Sequence, residues 1–321
     1  MQQYDRKYEQ IAIDGNNAWW RSVCATVKKA KEVDGVFIYT QAIVEFLNRV
    51  KGIQNQFGYD NSTIYLLFDN PKSKINTRQM IDEHYKSHRC NESVPKEFWD
   101  TLALLELILQ CYSNNYVIMR LDHCEADDLV YPLVKAKAMD KKLLLISVDM
   151  DWSRALSLSD NTHWFNYKTL FWHKEIFKDE YGFLPEKNKV KFYKTFRGDS
   201  SDDISPSVPN IPSQVLTHIM NTYDDINVFI DNFNRDSNIP EQWKIKILEN
   251  RSKVLSNYAL VDFISIDQDI ESYSYYCKEN IGELKYWYNL LDLPYENRMK
   301  DKPTKGFLQK VKNQYTKQVK L

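Results

Sequence analysis

Paired cysteines, long apolar runs and net charge are all lacking in this sequence. Its 321 residues include five cysteines, an odd number, and none forms a CxxC pair. This argues against a disulfide framework or a zinc site and suits a reducing cytosol. The N-terminus has no apolar signal core, and the most apolar helical stretch, around 102–109, is too short for a bilayer and contains Glu106. We expect a cytoplasmic, monomeric protein with no membrane partner.

The absence of net charge removes the simplest argument for a nucleic-acid partner. The chain has 43 basic and 44 acidic residues. If nine of the 44 acids, named below, are assigned to metal ions, the remaining 35 acids face 43 bases and the rest of the chain is net +8. Such a surface can hold a phosphate backbone.

Apolar runs and amphipathic stretches alternate along the first half of the sequence. Short apolar runs predict buried strands at 10–13, 63–68, 116–119 and 142–148. Longer amphipathic stretches predict helices at 39–51, 96–111 and 126–139. This alternation predicts an α/β fold with a mostly parallel central sheet flanked by helices. From about 171 the pattern is helical and lysine-rich, which predicts a catalytic α/β domain at 1–170 and a helical region at 171–321.

Carboxylates follow three of the predicted strands. Asp14 ends the first strand, Asp69 ends another, and Asp149 and Asp151 follow a third. In an open parallel sheet, ligands bind beyond the carboxyl ends of the strands. These acids are therefore expected to converge in one crevice although they are far apart in sequence.

Five further acids complete a candidate cluster of nine. Glu125, Asp127 and Asp128 are predicted to open the helix after the 116–119 strand, and Asp199 and Asp202 lie in a turn. Any one of these acids could be a turn residue or helix cap. Together they would repel one another strongly without cations. Because all the ligands are oxygens, hard cations such as Mg²⁺ or Mn²⁺ are expected, and two such ions can hydrolyse a phosphodiester.

The order of these motifs resembles the flap-endonuclease and 5′-3′ exonuclease superfamily of PIN-like 5′ nucleases. The motifs are IDGNN, FDN, R…YKxxR, EADD, SVDMD and GDSSDDI, spread over about 11–203. The pattern is closest to phage ribonuclease H-type 5′ nucleases that remove RNA primers. The resemblance implies a Mg²⁺-dependent nuclease with two ions, for which Mn²⁺ can substitute, acting on DNA and RNA–DNA duplexes with 5′ ends or flaps. It also implies a host-cell cytoplasmic location if the protein is phage-encoded, with a sliding clamp or a single-strand-binding protein as candidate partners.

The resemblance also divides the nine acids between two metal sites. It assigns to the tighter site Asp14, Asp69, Glu125, Asp127 and Asp149. It assigns to the second site or its water shell Asp128, Asp151, Asp199 and Asp202. Asp203 stands where the family usually has Asn and is left out of the metal set.

A basic segment with one tyrosine lies between Asp69 and Glu125. If this segment is helical, one face carries Arg78, Tyr85, Lys86 and Arg89, which could grip phosphates and stack on a base. A solvated charged helix explains the same spacing. The resemblance places the helical arch of the family here. It implies catalytic roles at the scissile phosphate for Lys86 and Arg89 and nucleic-acid binding by Lys72, Lys74, Arg78 and Tyr85.

The segment after GDSSD departs from the family pattern. A glycine-rich hairpin between two helices is expected there, but this chain has Pro206, Pro209 and Pro212 instead. Proline donates no amide hydrogen bond, so we expect a degenerate helix–hairpin–helix, with Ser213 capping its second helix. Duplex contacts could come instead from Lys187, Lys189, Lys191 and Lys194, which a solvated helix face explains equally well.

Three other functions fit parts of the pattern. A non-catalytic, structure-specific nucleic-acid-binding protein of the same fold should have lost metal carboxylates, and all nine are present. A phosphatase with an aspartate nucleophile would want a DxD pair after its first strand, where this chain has Asp14-Gly15-Asn16. A PIN-domain ribonuclease would be shorter and lack the GDxxD turn.

Overall fold

The computed structural model describes residues 7–27, 40–70, 78, 80–86, 96–166, 170–262 and 265–291. In these residues the strands are β1 (Tyr8–Asp14), β2 (Gly58–Leu67), β3 (Tyr116–Met119), β4 (Leu143–Ile146), β5 (Thr162–Asn166), β6 (Leu170–Trp172) and β7 (Ser274–Tyr276). The first α-helices are α1 (Gly15–Val27), α2 (Thr40–Phe57), α3 (Lys96–Gln110), α4 (Val130–Lys137), α5 (Lys174–Tyr181) and α6 (Lys187–Arg197). The remaining α-helices are α7 (Ser213–Thr222), α8 (Ile226–Asn232), α9 (Glu241–Glu249), α10 (Arg251–Leu260) and α11 (Ile281–Leu290).

The described chain forms two compact units that interleave along the sequence. The first unit contains the described residues of Met1–Asp69, Asn91–Arg120 and Asp269–Leu321. The second contains those of Asn70–Cys90 and Leu121–Gln268. The predicted functional division into 1–170 and 171–321 stays a prediction.

The strands of the first unit are mostly parallel. β1 pairs with β2 and β2 with β3, both in parallel, and β7 adds to β3 in the antiparallel direction. β3 is buried along its whole length, as its continuous apolar sequence predicts for a parallel strand. The helices α1, α2 and α3 contact these strands.

The second unit combines a smaller group of strands with the helical region. β4 pairs with β5 in parallel, and β6 pairs with β5 in the antiparallel direction. From Lys174 the described chain is mostly helical, as predicted. Packed aromatic rings hold these helices together, with Phe229 of α8 in contact with Phe192, Phe196, Tyr223 and Phe233. The predicted α/β class with mostly parallel strands and flanking helices is confirmed.

Two stretches differ locally from the prediction. Glu125, Asp127 and Asp128 do not open a helix, because α4 begins only at Val130 and the acids lie in the turns before it. In the basic segment the described residues, 78 and 80–86, form hydrogen-bonded turns and not a helix, and the rest of the predicted arch lies outside the described residues.

The proline-rich segment connects helices α6 and α7, but the predicted serine cap is absent. The degenerate helix–hairpin–helix stays a prediction. Pro212 is the N-cap residue of α7 and offers no side-chain hydrogen bond. Ser213 is the first helical residue, and its hydroxyl accepts a hydrogen bond from Arg197 at 3.0 Å. None of the described helices is both long and apolar enough to cross a bilayer.

Candidate metal centre

Asp14 and Asp69 lie at the carboxyl ends of two adjacent parallel strands in the first unit. The register pairs Asp14 with Leu67, so both acids leave the strands at the same edge. Asn16 ties these ends together, because its side chain donates to Asp69 at 2.9 Å and accepts from the Asp69 amide at 3.1 Å. Gly15 is required between them, since a Cβ there would lie 2.8 Å from the Leu67 carbonyl oxygen. The sequence placed the two acids correctly at strand ends but missed the role of Asn16.

The seven other predicted acids lie in the second unit and form three linked groups. In each group one carboxylate oxygen from every acid lies within 4.8 Å of one oxygen of each of the others. The groups are Glu125–Asp127–Asp128, Asp127–Asp149–Asp151 and Asp151–Asp199–Asp202. Asp127 belongs to the first two groups and Asp151 to the last two. The seven acids therefore form one continuous cluster in which these two carboxylates are the links.

The acids of the first group, Glu125, Asp127 and Asp128, lie in hydrogen-bonded turns before α4. The Glu125 amide donates to Asp128 Oδ2 at 2.9 Å, and the Asp128 amide donates to the Glu125 carbonyl at 3.1 Å. Asp128 is fully buried, and its other oxygen, Oδ1, accepts from Arg78 at 2.9 Å. Because both oxygens of Asp128 have protein partners, Asp128 is better placed to hold the turn than to bind an ion directly.

A 3-10 helix, Met150–Ala155, and its N-cap carry two acids of the second group, Asp149 and Asp151. Asp149 is its N-cap residue and accepts from the Asp151 amide at 2.9 Å. The Asp149 amide itself donates to Ser147 at 3.0 Å. The cap fixes the spacing of Asp149 and Asp151, so the DxD pair enters the cluster together.

A tight turn carries two acids of the third group, Asp199 and Asp202. Asp199 and Ile204 exchange backbone hydrogen bonds of 2.7 and 2.9 Å, and Gly198 before them has φ +75°. A Cβ at Gly198 would lie 2.4 Å from the Ile204 carbonyl oxygen. This GDxxD turn therefore requires glycine for both its conformation and its space.

Four cations neutralise part of the cluster. Lys86 lies 2.6 Å from Glu125 and 3.6 Å from Asp202. Lys194 lies 2.7 Å from Asp151 and 2.6 Å from Asp199. The other two cations are Arg78, paired with Glu125 and Asp128, and Arg154, paired with Asp151 at 2.8 Å.

Burial and crowding shift the acids in different directions. Burial, and then the charges of Glu125 and Asp128, raise the pKa of Asp127 well above its ordinary value. Burial also raises the pKa of Asp202, to about 6. Burial raises the pKa of Asp151 as well, but Arg154 and then Lys194 outweigh it, so the pKa of that carboxyl is below its usual range.

The predicted nucleic-acid role of Tyr85 is contradicted by its position. Its side chain is 3% exposed and packs with Ile204, Leu260 and Val261. Its hydroxyl lies 3.1 Å from Asp202 and 3.3 Å from Glu125. A ring buried in this way has no free face on which a base could stack.

The other predicted cationic residues divide into three cases. Arg78 is buried against acids and is not available to a phosphate in this arrangement. Lys86 is placed among the acids, as its predicted catalytic role requires. Outside the described residues lie Lys72, Lys74 and Arg89.

Two of the four lysines proposed for duplex contact are internal. Lys194 is buried among the acids, and Lys191 is buried with its ammonium 2.5 Å from Asp262 and over the Tyr258 ring. Sequence reasoning missed Lys194 and Arg154 as members of the site. Arg154 had one local signal, its spacing of three residues from Asp151, which suits an ion pair on one helical face. Lys194 had no distinguishing signal.

The donor chemistry of the seven acids fits hard divalent cations. All the side-chain donors are carboxylate oxygens, with no His or Cys in the three groups. Seven carboxylates face four cations, which leaves three formal negative charges among these described residues. Divalent ions would neutralise this excess, and the residues best placed to hold them are Asp127, Asp149, Asp151, Asp199 and Asp202.

A family comparison decides the identity of the fold. The model of the 5′-3′ exonuclease N-terminal resolvase-like domain matches residues 9–182, more than half of the chain. This chain belongs to the 5′-3′ exonuclease family. The resemblance inferred from the motifs is thus confirmed, and the chain is a nuclease by family.

Solved structures similar to this 5′-3′ exonuclease family member share its fold. The bacteriophage T5 D15 protein co-crystallised with metal ions is 19% identical, with a TM-score of 0.57, covering 79% of this chain and 89% of its own. A variant of the T5 D15 flap endonuclease in a pseudo-enzyme-product complex with DNA and metal ions is 18% identical, with a TM-score of 0.58, covering 88% and 99%. The catalytic core of Rad2 in complex with DNA substrate is 12% identical, with a TM-score of 0.54, covering 95% and 93%. No curated protein matches the sequence significantly.

Proposed function

We propose that this protein is a Mg²⁺-dependent 5′ nuclease that hydrolyses phosphodiester bonds near the 5′ ends of DNA or RNA–DNA duplexes. Flaps and RNA primers in replication are the proposed substrates. The linkage of three carboxylate groups through Asp127 and Asp151 carries this proposal. The T5 D15 complex with DNA and metal ions and the Rad2 complex with DNA substrate support it.

The three groups offer room for two adjacent ion positions. We assign one position to Asp127 and Asp149 and the other to Asp151, Asp199 and Asp202. Both oxygens of Glu125 have protein partners, so its predicted place at the first ion stays a prediction. Two divalent ions at such positions would activate a water and stabilise the leaving oxygen of the phosphodiester. The assignment of Asp14 and Asp69 to the first ion stays a prediction, as does the preference for Mg²⁺ over Mn²⁺.

Lys86 supplies positive charge beside the acids. Its ammonium lies between Glu125 and Asp202. Burial lowers the pKa of Lys86, but Glu125, then Tyr85 and Asp202, outweigh burial and raise this pKa well above its ordinary value. A lysine that stays protonated there can stabilise the charge that develops on the phosphate oxygens. Lys86 is therefore the proposed catalytic cation of this protein.

Cleavage of labelled substrates tests the proposal. A 5′-flap duplex and an RNA-primed duplex, each labelled at the 5′ end, are incubated with the protein and Mg²⁺ or EDTA. We expect Mg²⁺-dependent release of short 5′ products, and product length separates exonuclease from flap cutting. Tight binding of both substrates without cleavage in Mg²⁺ or Mn²⁺ would instead indicate a non-catalytic nucleic-acid-binding protein.

Two matched variants make the test specific. Asp149→Asn removes a metal-site charge and should abolish cleavage. Asp231→Asn removes the charge of an exposed aspartate on α8 and should leave cleavage unchanged.

A further inference from the structure

Two arginines meet the chain at the end of helix α10. Arg154 donates to the Val261 carbonyl at 2.6 Å, and Arg78 donates to the Asp262 carbonyl at 2.8 Å. Val261 is the C-cap residue of α10. Carbonyls at a helix C-terminus lack intrahelical donors and carry the negative end of the helix dipole, so they are suited to bind guanidinium groups.

Each of these arginines also holds a carboxylate of the candidate metal centre. Arg154 lies 2.8 Å from Asp151 Oδ1, and Arg78 lies 2.9 Å from Asp128 Oδ1 and pairs with Glu125. The Arg154 side chain is 0% exposed. A buried guanidinium is costly unless its charge is paired, so these partners fix where Arg154 can be.

Asp151 is the carboxylate that most needs a fixed orientation. It belongs to two of the three acid groups, so any rotation of its side chain disturbs both. Arg154 and Lys194 both contact its Oδ1, which leaves Oδ2 for an ion. Lys194 also contacts Asp199 and lies 3.9 Å from Asp149, so it is placed among the ligands themselves. Arg154 lies three residues after Asp151 in the same 3-10 helix, and its guanidinium is also tied to the end of α10.

We propose that Arg154 is a positioning residue of the metal centre, anchored on the end of α10, and that it orients Asp151 for ion binding. Arg78 has the equivalent arrangement toward Glu125 and Asp128. This inference rests on the proposed function, because it concerns the ions that the function requires. It adds that the helical region contributes to the metal centre through the backbone carbonyls of Val261 and Asp262.

Mn²⁺ binding to metal-free protein tests the role of Arg154 without any nucleic acid. Bound and free Mn²⁺ are separated by electron paramagnetic resonance during a titration. In Arg154→Met we expect at least one Mn²⁺ to bind about tenfold more weakly or worse, which is the usual effect of losing a residue that orients a metal ligand. In the structure a single nitrogen of Arg154, Nη2, contacts both Asp151 and Val261. Arg154→Lys keeps a charge near Asp151, but the lysine nitrogen lies one bond closer to the backbone than Nη2 and cannot keep both contacts at these distances. The Mn²⁺ affinity of Arg154→Lys should therefore fall between those of wild type and Arg154→Met.

The order of affinities decides the inference. Wild type above Arg154→Lys above Arg154→Met supports a positioning role, and any other order overturns it. If Arg154→Met does not fold, the comparison is between wild type and Arg154→Lys, and equal affinities overturn it. If wild-type protein binds no Mn²⁺, the proposed function itself fails, which is a different result.

Arg120→Met is the matched control for loss of an internal ion pair. Arg120 pairs with Glu106 in the first unit and lies over the Phe68 ring. Its loss should lower stability but leave Mn²⁺ affinity within about twofold of wild type. An equal loss of Mn²⁺ affinity in Arg120→Met and Arg154→Met would show that general destabilisation is the cause.

Discussion

Lys86 has an unusual backbone conformation for its residue type. Its φ is 57°, in the left-handed region that non-glycine residues seldom adopt. Its amide donates to the Asp202 carbonyl at 3.1 Å while its ammonium contacts Glu125. Backbone and side chain are thus both held against the acid cluster. The backbone strain of Lys86 is thus offset by the pairing of its ammonium with the acids.

Replacement of Lys86 by Met should separate catalysis from metal binding. We expect the single-turnover rate on a 5′-flap duplex to fall roughly 100-fold, because one preorganised charge is lost. Mn²⁺ affinity should be unchanged or higher, because Lys86 competes with ions for Glu125. Single-turnover cleavage and Mn²⁺ titration measure the two effects. Lys253→Met, at an exposed position of α10, is the control, and a wild-type rate in Lys86→Met would refute the catalytic role.

Turns and helix ends set the geometry at the scale of elements. The Gly198–Ile204 turn and the N-cap of the 3-10 helix at Asp149 each place two acids with only local hydrogen bonds. α7 is tied to the chain after α8 by Asp236, which accepts from His218 at 2.7 Å and from Tyr223 at 2.9 Å. Such short-range contacts fix the pieces that the tertiary fold then brings together.

Gly198→Ala should disrupt the turn that carries Asp199 and Asp202. Its φ of +75° and ψ of −178° are essentially restricted to glycine, and the added Cβ would collide with the Ile204 carbonyl. We expect a lower unfolding temperature and weaker Mn²⁺ binding, measured by circular dichroism and titration. Gly52→Ala, within α2 and with open space around the new Cβ, should stabilise the protein by about 0.5–1 kcal/mol. A Gly198→Ala protein as stable as wild type would contradict this account.

Asp236→Asn should give a pH-dependent loss of stability. Burial raises the pKa of Asp236, but hydrogen bonds from His218, the Asn238 amide and Tyr223 outweigh this, so its pKa is lowered. Because the pKa of Asp236 is lower in the folded than in the unfolded protein, its ionised carboxylate stabilises the fold. This stabilisation is complete at pH values above the pKa in the unfolded protein, and it is lost as the pH falls through the pKa in the folded protein. We expect about 1–2 kcal/mol less unfolding free energy at pH 7.

Urea unfolding at pH 7, 4 and 3 measures this effect. The difference between wild type and Asp236→Asn should shrink as the pH falls below about 4, where the unfolded carboxyl begins to protonate. A difference that stays constant from pH 7 to pH 3 would show that the ionised carboxylate is not the source of the stability.

At the scale of the whole molecule, charge is distributed unevenly although it nearly cancels in total. The formal net charge is −1, yet seven carboxylates and four cations are concentrated in the described part of the second unit. Without ions, burial and then repulsion from Glu125 and Asp128 raise the pKa of Asp127, so this crowding of acids is unfavourable in the metal-free protein. Divalent ions would remove this repulsion.

Metal ions should therefore raise the unfolding temperature. An ion present at 100 times its Kd stabilises the folded state by about 2.7 kcal/mol, which corresponds to an increase of several degrees. Thermal scans with Mg²⁺, with EDTA, and with KCl at matched ionic strength measure this. We expect a smaller shift for Asp151→Asn, which removes a carboxylate shared by two groups. Equal stability in Mg²⁺ and EDTA would contradict metal binding by the folded cluster.

The sequence by itself determined the acids and the strands that carry some of them. Apolar runs predicted β1, β2, β3 and β4. All nine predicted metal ligands lie in the described residues, at strand ends, in turns or, for Asp151, in a short 3-10 helix. This part was predictable because strand periodicity and turn chemistry depend on neighbours a few residues away. The family motifs mark the same acids, and each motif is likewise only a few residues long.

Only the tertiary structure decided which charges accompany those acids. Arg154 meets Val261 across 107 residues and Arg78 meets Asp262 across 184, so no local pattern marks either contact. Tyr85 was predicted to bind nucleic acid, and Lys194 was a candidate either for duplex contact or for a solvated helix face. Both are buried, because the charged cluster needs hydrogen bonds and counter-cations within it. The sign of a side chain's charge is readable from sequence, but its partner depends on which distant segments the fold brings within a few ångströms.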